Sequence, residues 1–72
     1  MTQFASVEVT RDLLEHLRRP PLSSQLEITS VMPMDGDYVA LTVSSPALAP
    51  DAGHQELYLD GDTVKFKPWR DA

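Results

Sequence analysis

The sequence contains no cysteine, and only two of its 72 residues, His16 and His54, are histidines. Disulfide bonds and zinc sites with thiolate ligands are therefore excluded, and two histidines are too few for a structural zinc site of their own. A chain of this length buries roughly 60% of its unfolded surface, which leaves its stability marginal. Small proteins usually offset this with crosslinks, a metal or a partner subunit. The composition therefore predicts one domain, residues 1–72, that self-associates or binds another protein.

Long apolar runs are missing too, and positive charge is scarce. No stretch approaches the roughly 20 apolar residues that a membrane-spanning helix needs. Eleven acidic residues against six basic ones give a net charge of −5, which argues against attraction to nucleic acid or to anionic membranes. The start, MTQFASVEV, has no basic region followed by a continuous apolar segment, so we expect no signal peptide. These features predict a soluble cytoplasmic protein.

The residues that are present indicate short strands around one helix. Residues 4–9 alternate between apolar and polar side chains, as in a strand. Thr10 can cap a helix in which three leucines, at positions 13, 14 and 17, share one face. Pro20 and Pro21 stop that helix, because proline has no N–H and restricts the residue before it. The pattern predicts a helix over Arg11–Arg19.

Two similar segments, MDGDYVALTV at Met34–Val43 and LDGDTVKFKP at Leu59–Pro68, predict two hairpins. Asp-Gly is a strong signal for a two-residue hairpin loop, because both positions need positive φ. With Asp35-Gly36 as the first loop, one apolar sheet face contains Leu26, Ile28, Met32, Val39, Leu41 and Val43. The second loop is either Asp60-Gly61 or Gly61-Asp62, and both registers give the same faces.

Together these elements predict an α+β fold, with one short helix packed on a small, mostly antiparallel sheet of four to five strands built from two hairpins. An aperiodic loop over Ser44–His54 connects the hairpins. The predicted core consists of Leu13, Leu17, Ile28, Leu41, Val43, Leu57 and Phe66.

The four aspartates of the two Asp-Gly-Asp triplets have two interpretations. Asp and Gly dominate turns for conformational reasons alone. Calcium takes about six to eight oxygen ligands, and the distal glutamate of the calcium-binding loop motif is missing, so we predict no metal site. If the strands formed a meander, both turns would lie at one end of the sheet. An acidic rim of Asp35, Asp37, Asp60 and Asp62 could then dock on a basic partner.

Catalytic patterns are missing. Neither histidine has a serine or carboxylate nearby in a triad pattern, and the glycine-rich phosphate loops and the zinc-protease helix motif do not occur. We therefore interpret both histidines as surface residues, and expect a protein that is not an enzyme and needs no cofactor.

The face of the sheet opposite the helix is more aromatic than a solvated face requires, since antiparallel sheets normally alternate cleanly. Tyrosine and tryptophan are enriched at interfaces. The predicted partner-binding residues are Val31, Tyr38, Ala40, Tyr58, Lys67 and Trp69. We expect a homodimer or higher homo-oligomer that uses this face or a free strand edge, such as that of the C-terminal strand. The alternative is a solvated face with scattered apolar residues.

The basic residues leave another function open. Lys65, Lys67 and Arg70 share the C-terminal strand with Trp69, and such a strand can hold single-stranded nucleic acid. The acidity of the chain, and a Glu56 expected to neutralise Lys65, argue against nucleic-acid binding.

The alternative function is a small-ligand or nucleotide-sequestering protein with a pocket at an oligomer interface. Its anion contacts would be Arg18, Arg19 or Lys67.

Three segments, LLEHLRRP, LEITSV and YVALTVSSPAL, resemble very small accessory proteins encoded by actinobacterial phages. The resemblance spans Leu13–Leu48 and consists of a leucine-rich helix, a proline break and strands that end in a proline-containing loop. It implies no activity and no functional residues, because such proteins largely lack assigned functions. It does imply binding to host or phage macromolecules, in the host cytoplasm if the protein is phage-encoded. The leading hypothesis is a non-enzymatic protein-binding or regulatory accessory module.

Overall fold

A computed structural model describes residues 3–50 and 53–69, in which one α-helix packs on antiparallel strands. The elements in chain order are β1 (Ala5–Thr10), α1 (Arg11–Leu17), a 3-10 helix (Leu22–Ser24), β2 (Glu27–Pro33), β3 (Tyr38–Ser44), β4 (Gln55–Asp60) and β5 (Thr63–Pro68). The predicted α+β fold class is confirmed. The strands form two sheets, one of three strands in the order β1-β3-β2 and one that pairs β4 with β5.

Helix α1 follows β1 directly because Thr10 serves both elements. The backbone of Thr10 is extended, and the Thr10 Oγ1 accepts a hydrogen bond from the Leu13 N–H at 3.1 Å, as predicted for a capping residue. The helix ends at Leu17, two residues before the predicted end. Leu14 and Leu17 are buried. Within the described part of the chain, no helix is long and apolar enough to cross a membrane.

Strand β3 is the centre of the larger sheet. It pairs with the whole of β1, from Ala5 opposite Val43 to Thr10 opposite Tyr38. On its other side it pairs with β2. A chain-order meander is therefore wrong for this sheet, since the first strand, and not β4, lies beside β3.

The loop between β2 and β3 is one residue longer than predicted. The Met34 N–H donates to the Tyr38 carbonyl at 3.1 Å, which leaves a three-residue loop, Asp35–Asp37. The register beyond it therefore shifts by one residue relative to the prediction. A bulge between Ile28 and Ser30 absorbs the shift, so the predicted pair of Ile28 with Val43 still forms.

This shift exchanges the two faces of β2 from Ser30 to Pro33, so the predicted faces of these four residues are wrong, those of Val31 and Met32 among them. Val31 lies opposite Leu41, on the core side of the sheet. Met32 lies opposite Ala40, on the outer side, and is 64% exposed. The prediction that Tyr38 and Ala40 lie on the outer side is correct, because the alternation of β3 itself is unchanged.

The hairpin of β4 and β5 has the second of its two predicted registers. Gly61-Asp62 is the loop, Leu57 pairs with Phe66, and Tyr58 pairs with Lys65. Leu57, Val64 and Phe66 are buried on one face, as expected from either register.

Two seams join the sheets, and the first lies between β1 and the start of β4. The Ser6 N–H donates to the Gly53 carbonyl at 2.8 Å, and Ser6 forms an isolated parallel bridge with His54. At the second seam the Gln25 side-chain amide forms the two hydrogen bonds that the backbone of a neighbouring strand would form. Its Nε2 donates to the Asp62 carbonyl at 2.6 Å, and its Oε1 accepts from the Val64 N–H at 2.8 Å.

The core lies between the two sheets and α1, in a cluster made of Val7, Val9, Leu14, Leu17, Leu22, Val39, Leu41, Val43, Leu57, Val64 and Phe66. Of the seven predicted core residues, five belong to this cluster, and Leu13 and Ile28 pack against it partly buried. One polar side chain, Gln55, is also fully buried. Its amide donates to the Ala49 carbonyl and accepts from the Ala49 N–H, both at 2.9 Å, which ties Ala49 to the start of β4.

Replacing Leu41 by alanine should lower the free energy of unfolding by about 2–5 kcal/mol, because this side chain is only 1% exposed. The matched control is Leu59→Ala, at a residue that is 38% exposed, which should cost far less. Thermal unfolding followed by circular dichroism measures both. Equal midpoints for the two variants would contradict the core assignment.

Replacing Gln25 by glutamate should weaken the second seam. The variant keeps an acceptor for the Val64 N–H but aims a second carboxylate oxygen at the Asp62 carbonyl. We expect a loss of about 0.5–1.5 kcal/mol in urea-induced unfolding, since the broken bond to Asp62 is exposed. Gln3→Glu is the control, since Gln3 makes one exposed hydrogen bond, to Ala49. A loss at Gln25 no larger than at Gln3 would refute a structural role for the amide.

Candidate functional site

The outer face of the β4–β5 hairpin carries an ordered set of aromatic and charged side chains. Its ladder continues one pair beyond the strands, because the Trp69 N–H donates to the His54 carbonyl at 3.1 Å. Strand alternation then places these side chains on one side, turned away from Leu57 and Phe66. We call this set the aromatic–ionic face: His54, Glu56, Tyr58, Lys65, Lys67 and Trp69.

The indole of Trp69 is held by a stacking contact. Its ring lies 4.6 Å from that of His54, centroid to centroid, with 8° between the planes. On its other side, His54 contacts β1, where its Nε2 lies 3.2 Å from Glu8 Oε2. Trp69 nevertheless remains 42% exposed. The structure therefore presents to solvent a large aromatic ring with one stacking partner.

Both lysines of the face are paired with carboxylates of the same hairpin. Lys67 Nζ lies 3.1 Å from Glu56 Oε2 and 5.5 Å from the centroid of the Tyr58 ring. Lys65 Nζ lies 3.3 Å from Asp60 Oδ2. The predicted pair of Glu56 with Lys65 is wrong, because the register places Lys67 opposite Glu56. These cations are therefore already neutralised within the molecule.

A second exposed surface lies on the outer side of the larger sheet, at its β2–β3 end. We call it the hairpin patch: Met32, Met34, Tyr38 and Ala40. Tyr38 and Ala40 were predicted from the sequence, whereas the two methionines were not. Ala40 pairs with Glu8, the residue that contacts His54. The hairpin patch and the aromatic–ionic face are thus linked through Glu8.

The predicted anion contacts are not brought together. Arg18 and Arg19 follow α1 and are exposed, and no ion pair among the described residues includes either. Lys67 lies on the outer face of the hairpin, paired with Glu56. Arg70, predicted to share the C-terminal strand, lies outside the described residues. Val31 lies on the core side of the sheet but is 41% exposed, and its partner-binding role stays a prediction.

The two Asp-Gly-Asp triplets are hairpin turns, with φ of 72° at Gly36 and 62° at Gly61. They do not share one rim. The Asp62 carbonyl bonds to Gln25, just before β2 begins, whereas the loop of Asp35 follows the other end of β2. Among residues 3–50 and 53–69, no three His, Asp or Glu side chains are grouped closely enough to hold a metal ion.

A cleft of about 340 Å³ lies where β1 meets α1, beside the first of these turns. It is lined by Thr10, Arg11, Asp12 and Asp37, and the Arg11 N–H donates to the Asp37 carbonyl at 2.9 Å. Its side chains are one guanidinium, two carboxylates and a hydroxyl that already accepts the capping hydrogen bond of α1. This set provides no paired nucleophile and base.

Replacing Gly61 by valine should destabilise the hairpin by about 1–2 kcal/mol, because a branched residue resists positive φ while no atom lies near enough to clash. Gly53→Val is the control, since Gly53 has equal space and no positive φ. Calcium or magnesium should leave the thermal midpoint of the wild type unchanged. A metal-dependent rise would overturn the interpretation of the triplets as turns.

No protein-family model matches this sequence, and neither a curated protein nor a solved structure matches it. The resemblance to phage accessory proteins therefore stays a prediction from the sequence.

Proposed function

We propose that this protein is a non-enzymatic protein-binding module whose aromatic–ionic face binds a second copy to form a homodimer. The observation that carries the proposal is the exposed, stacked Trp69. A ring that is already held by His54 loses little conformational entropy on binding, and tryptophan and tyrosine dominate binding energies at protein interfaces. A regulatory accessory role in the cytoplasm, of the phage type, rests on the sequence alone.

The charges of this face favour a protein over a nucleic acid. Binding of a phosphate backbone would require Lys65 and Lys67 to exchange Asp60 and Glu56 for phosphates. A protein partner can instead cover both ion pairs together with the rings beside them. The pair of Lys67 with Glu56 weakens the alternative function, a small-ligand or nucleotide-sequestering protein, at one of its three predicted anion contacts. The other two, Arg18 and Arg19, are in no ion pair among the described residues.

Of the four edge strands, β1 and β4 face each other at the first seam. A face contact is favoured over strand addition because the edges of the other two, β2 and β5, are obstructed. On β5, the Val64 N–H is bonded to Gln25, and Pro68 has no N–H. On β2, a bulge at Thr29 and the ring of Pro33 flank the middle of the strand. Bulges and prolines are the devices with which proteins prevent edge-to-edge pairing.

Light scattering after size exclusion, at tens of micromolar protein, tests the proposal. The wild type should have twice the 8.0 kDa mass of one chain. Trp69→Ala should be a monomer. Phe4→Ala is the matched control, because Phe4 is a similarly exposed ring, at 49%, outside the aromatic–ionic face, and this variant should remain a dimer.

A monomeric wild type would refute self-association. A dimer that Trp69→Ala leaves intact would place the contact elsewhere and refute the role of this face. If nucleotide binding, measured by calorimetry with ATP, were abolished by Lys67→Ala, the alternative function would replace the proposal.

A further inference from the structure

The hairpin patch is an exposed apolar surface with flexible side chains at its centre. Met32, Met34 and Tyr38 are 64%, 39% and 50% exposed, and they project from the same side of β2 and β3. Methionine adapts its shape to different apolar partners, and a tyrosine ring accepts both apolar groups and cations. The patch therefore suits a partner that carries apolar side chains next to positive charge.

The side chains beside the hairpin patch carry negative charge that no ion pair among the described residues neutralises. Asp35 and Asp37 lie in the loop that joins Met34 to Tyr38, and neither belongs to an ion pair among the described residues. The neighbouring cleft adds Asp12 and one cation, Arg11. Three carboxylates and one guanidinium thus surround this end of the sheet, in contrast to the balanced charges of the aromatic–ionic face.

This charge also argues against a second copy as the occupant. A twofold contact through the hairpin patch would gather four carboxylates, Asp35 and Asp37 of both copies, at the rim of one interface. Like charges at an interface are unfavourable, and this patch lacks the paired lysines that balance the carboxylates of the aromatic–ionic face. A basic partner has the complementary charge.

We infer that the hairpin patch binds a cationic amphipathic segment of another protein, with its apolar side chains on Met32, Met34 and Tyr38 and its Lys or Arg residues facing Asp35 and Asp37. Binding of an amphipathic segment on an apolar surface is a common mode of peptide recognition. The inference concerns a different surface from the proposed dimer contact, so either can fail without the other.

The probe is a short fluorescent amphipathic peptide made only of leucine and lysine, titrated with the full chain and followed by fluorescence anisotropy. A peptide of the same pattern with glutamate in place of lysine is the control for apolar binding alone. We expect the lysine peptide to bind at least about tenfold more tightly than the glutamate peptide, with an affinity that falls as salt is added.

Variants locate the binding surface. Tyr38→Ser should weaken binding of the lysine peptide at least about tenfold, whereas Phe4→Ser, at an equally exposed ring on the opposite end of β1, should not. Asp37→Asn should weaken binding more than Asp62→Asn, the same change in the second triplet. Trp69→Ala should bind the peptide as the wild type does.

The inference would be overturned by equal affinity for the two peptides, by equal losses in Tyr38→Ser and Phe4→Ser, or by loss of binding in Trp69→Ala. Circular dichroism confirms that each variant is folded. If Tyr38→Ser instead converted a dimer into a monomer in light scattering, the patch would be the self-association surface and the inference would be wrong.

Discussion

The side-chain amide of Gln25 holds together two sheets that share almost no backbone ladder. The core exists only while the β4–β5 hairpin covers the larger sheet, because the buried side chains come from both. One seam is the backbone contact of Ser6 with the start of β4. At the other, the Gln25 side chain presents a donor and an acceptor to the β4–β5 hairpin as a peptide group would. The backbone carbonyl of Gln25 accepts a hydrogen bond from the Ser45 hydroxyl at 2.8 Å. A single side chain thus replaces a missing strand pair.

The position of the aromatic–ionic face follows from these seams. Because the inner side of the β4–β5 hairpin is committed to the core, alternation forces every second residue outward. The first seam then places His54 beside β1, within reach of Glu8. The stacked pair of His54 and Trp69 lies within the hairpin, at the end of its ladder, and the contact of His54 with Glu8 is the part that depends on the sheets remaining together.

Local patterns in the sequence predicted the helix, the hairpins and both faces of β4–β5. They did not predict the register of β2, because Asp35-Gly36-Asp37 fits a loop of two residues or of three. Strand β2 lies at an edge and buries little, so its apolar pattern contributes little energy to the choice. The roles of Gln25 and Gln55 were also missed, since periodicity treats glutamine as a surface residue, whereas here each amide satisfies backbone groups.

Only part of the candidate site could be predicted from the sequence. Tyr58, Lys67 and Trp69 were found by alternation within one hairpin. His54 continues that alternation two residues before Glu56, so extending the strand pattern into the loop would have identified it. Glu8 gives no such signal, because its contact with His54 joins segments far apart in the chain.

The bulge in β2 has a consequence for how the chain can vary in length. Ile28 and Val31 both lie on the core side although they are three residues apart, and Thr29 is the extra residue that makes this spacing fit. A chain without Thr29 would keep the pairs on both sides of the bulge and lose mainly the bond from its hydroxyl to the Thr42 carbonyl. A single-residue gap at this position in an alignment of related sequences would therefore reflect a strand without the bulge, and every core side chain would keep its place.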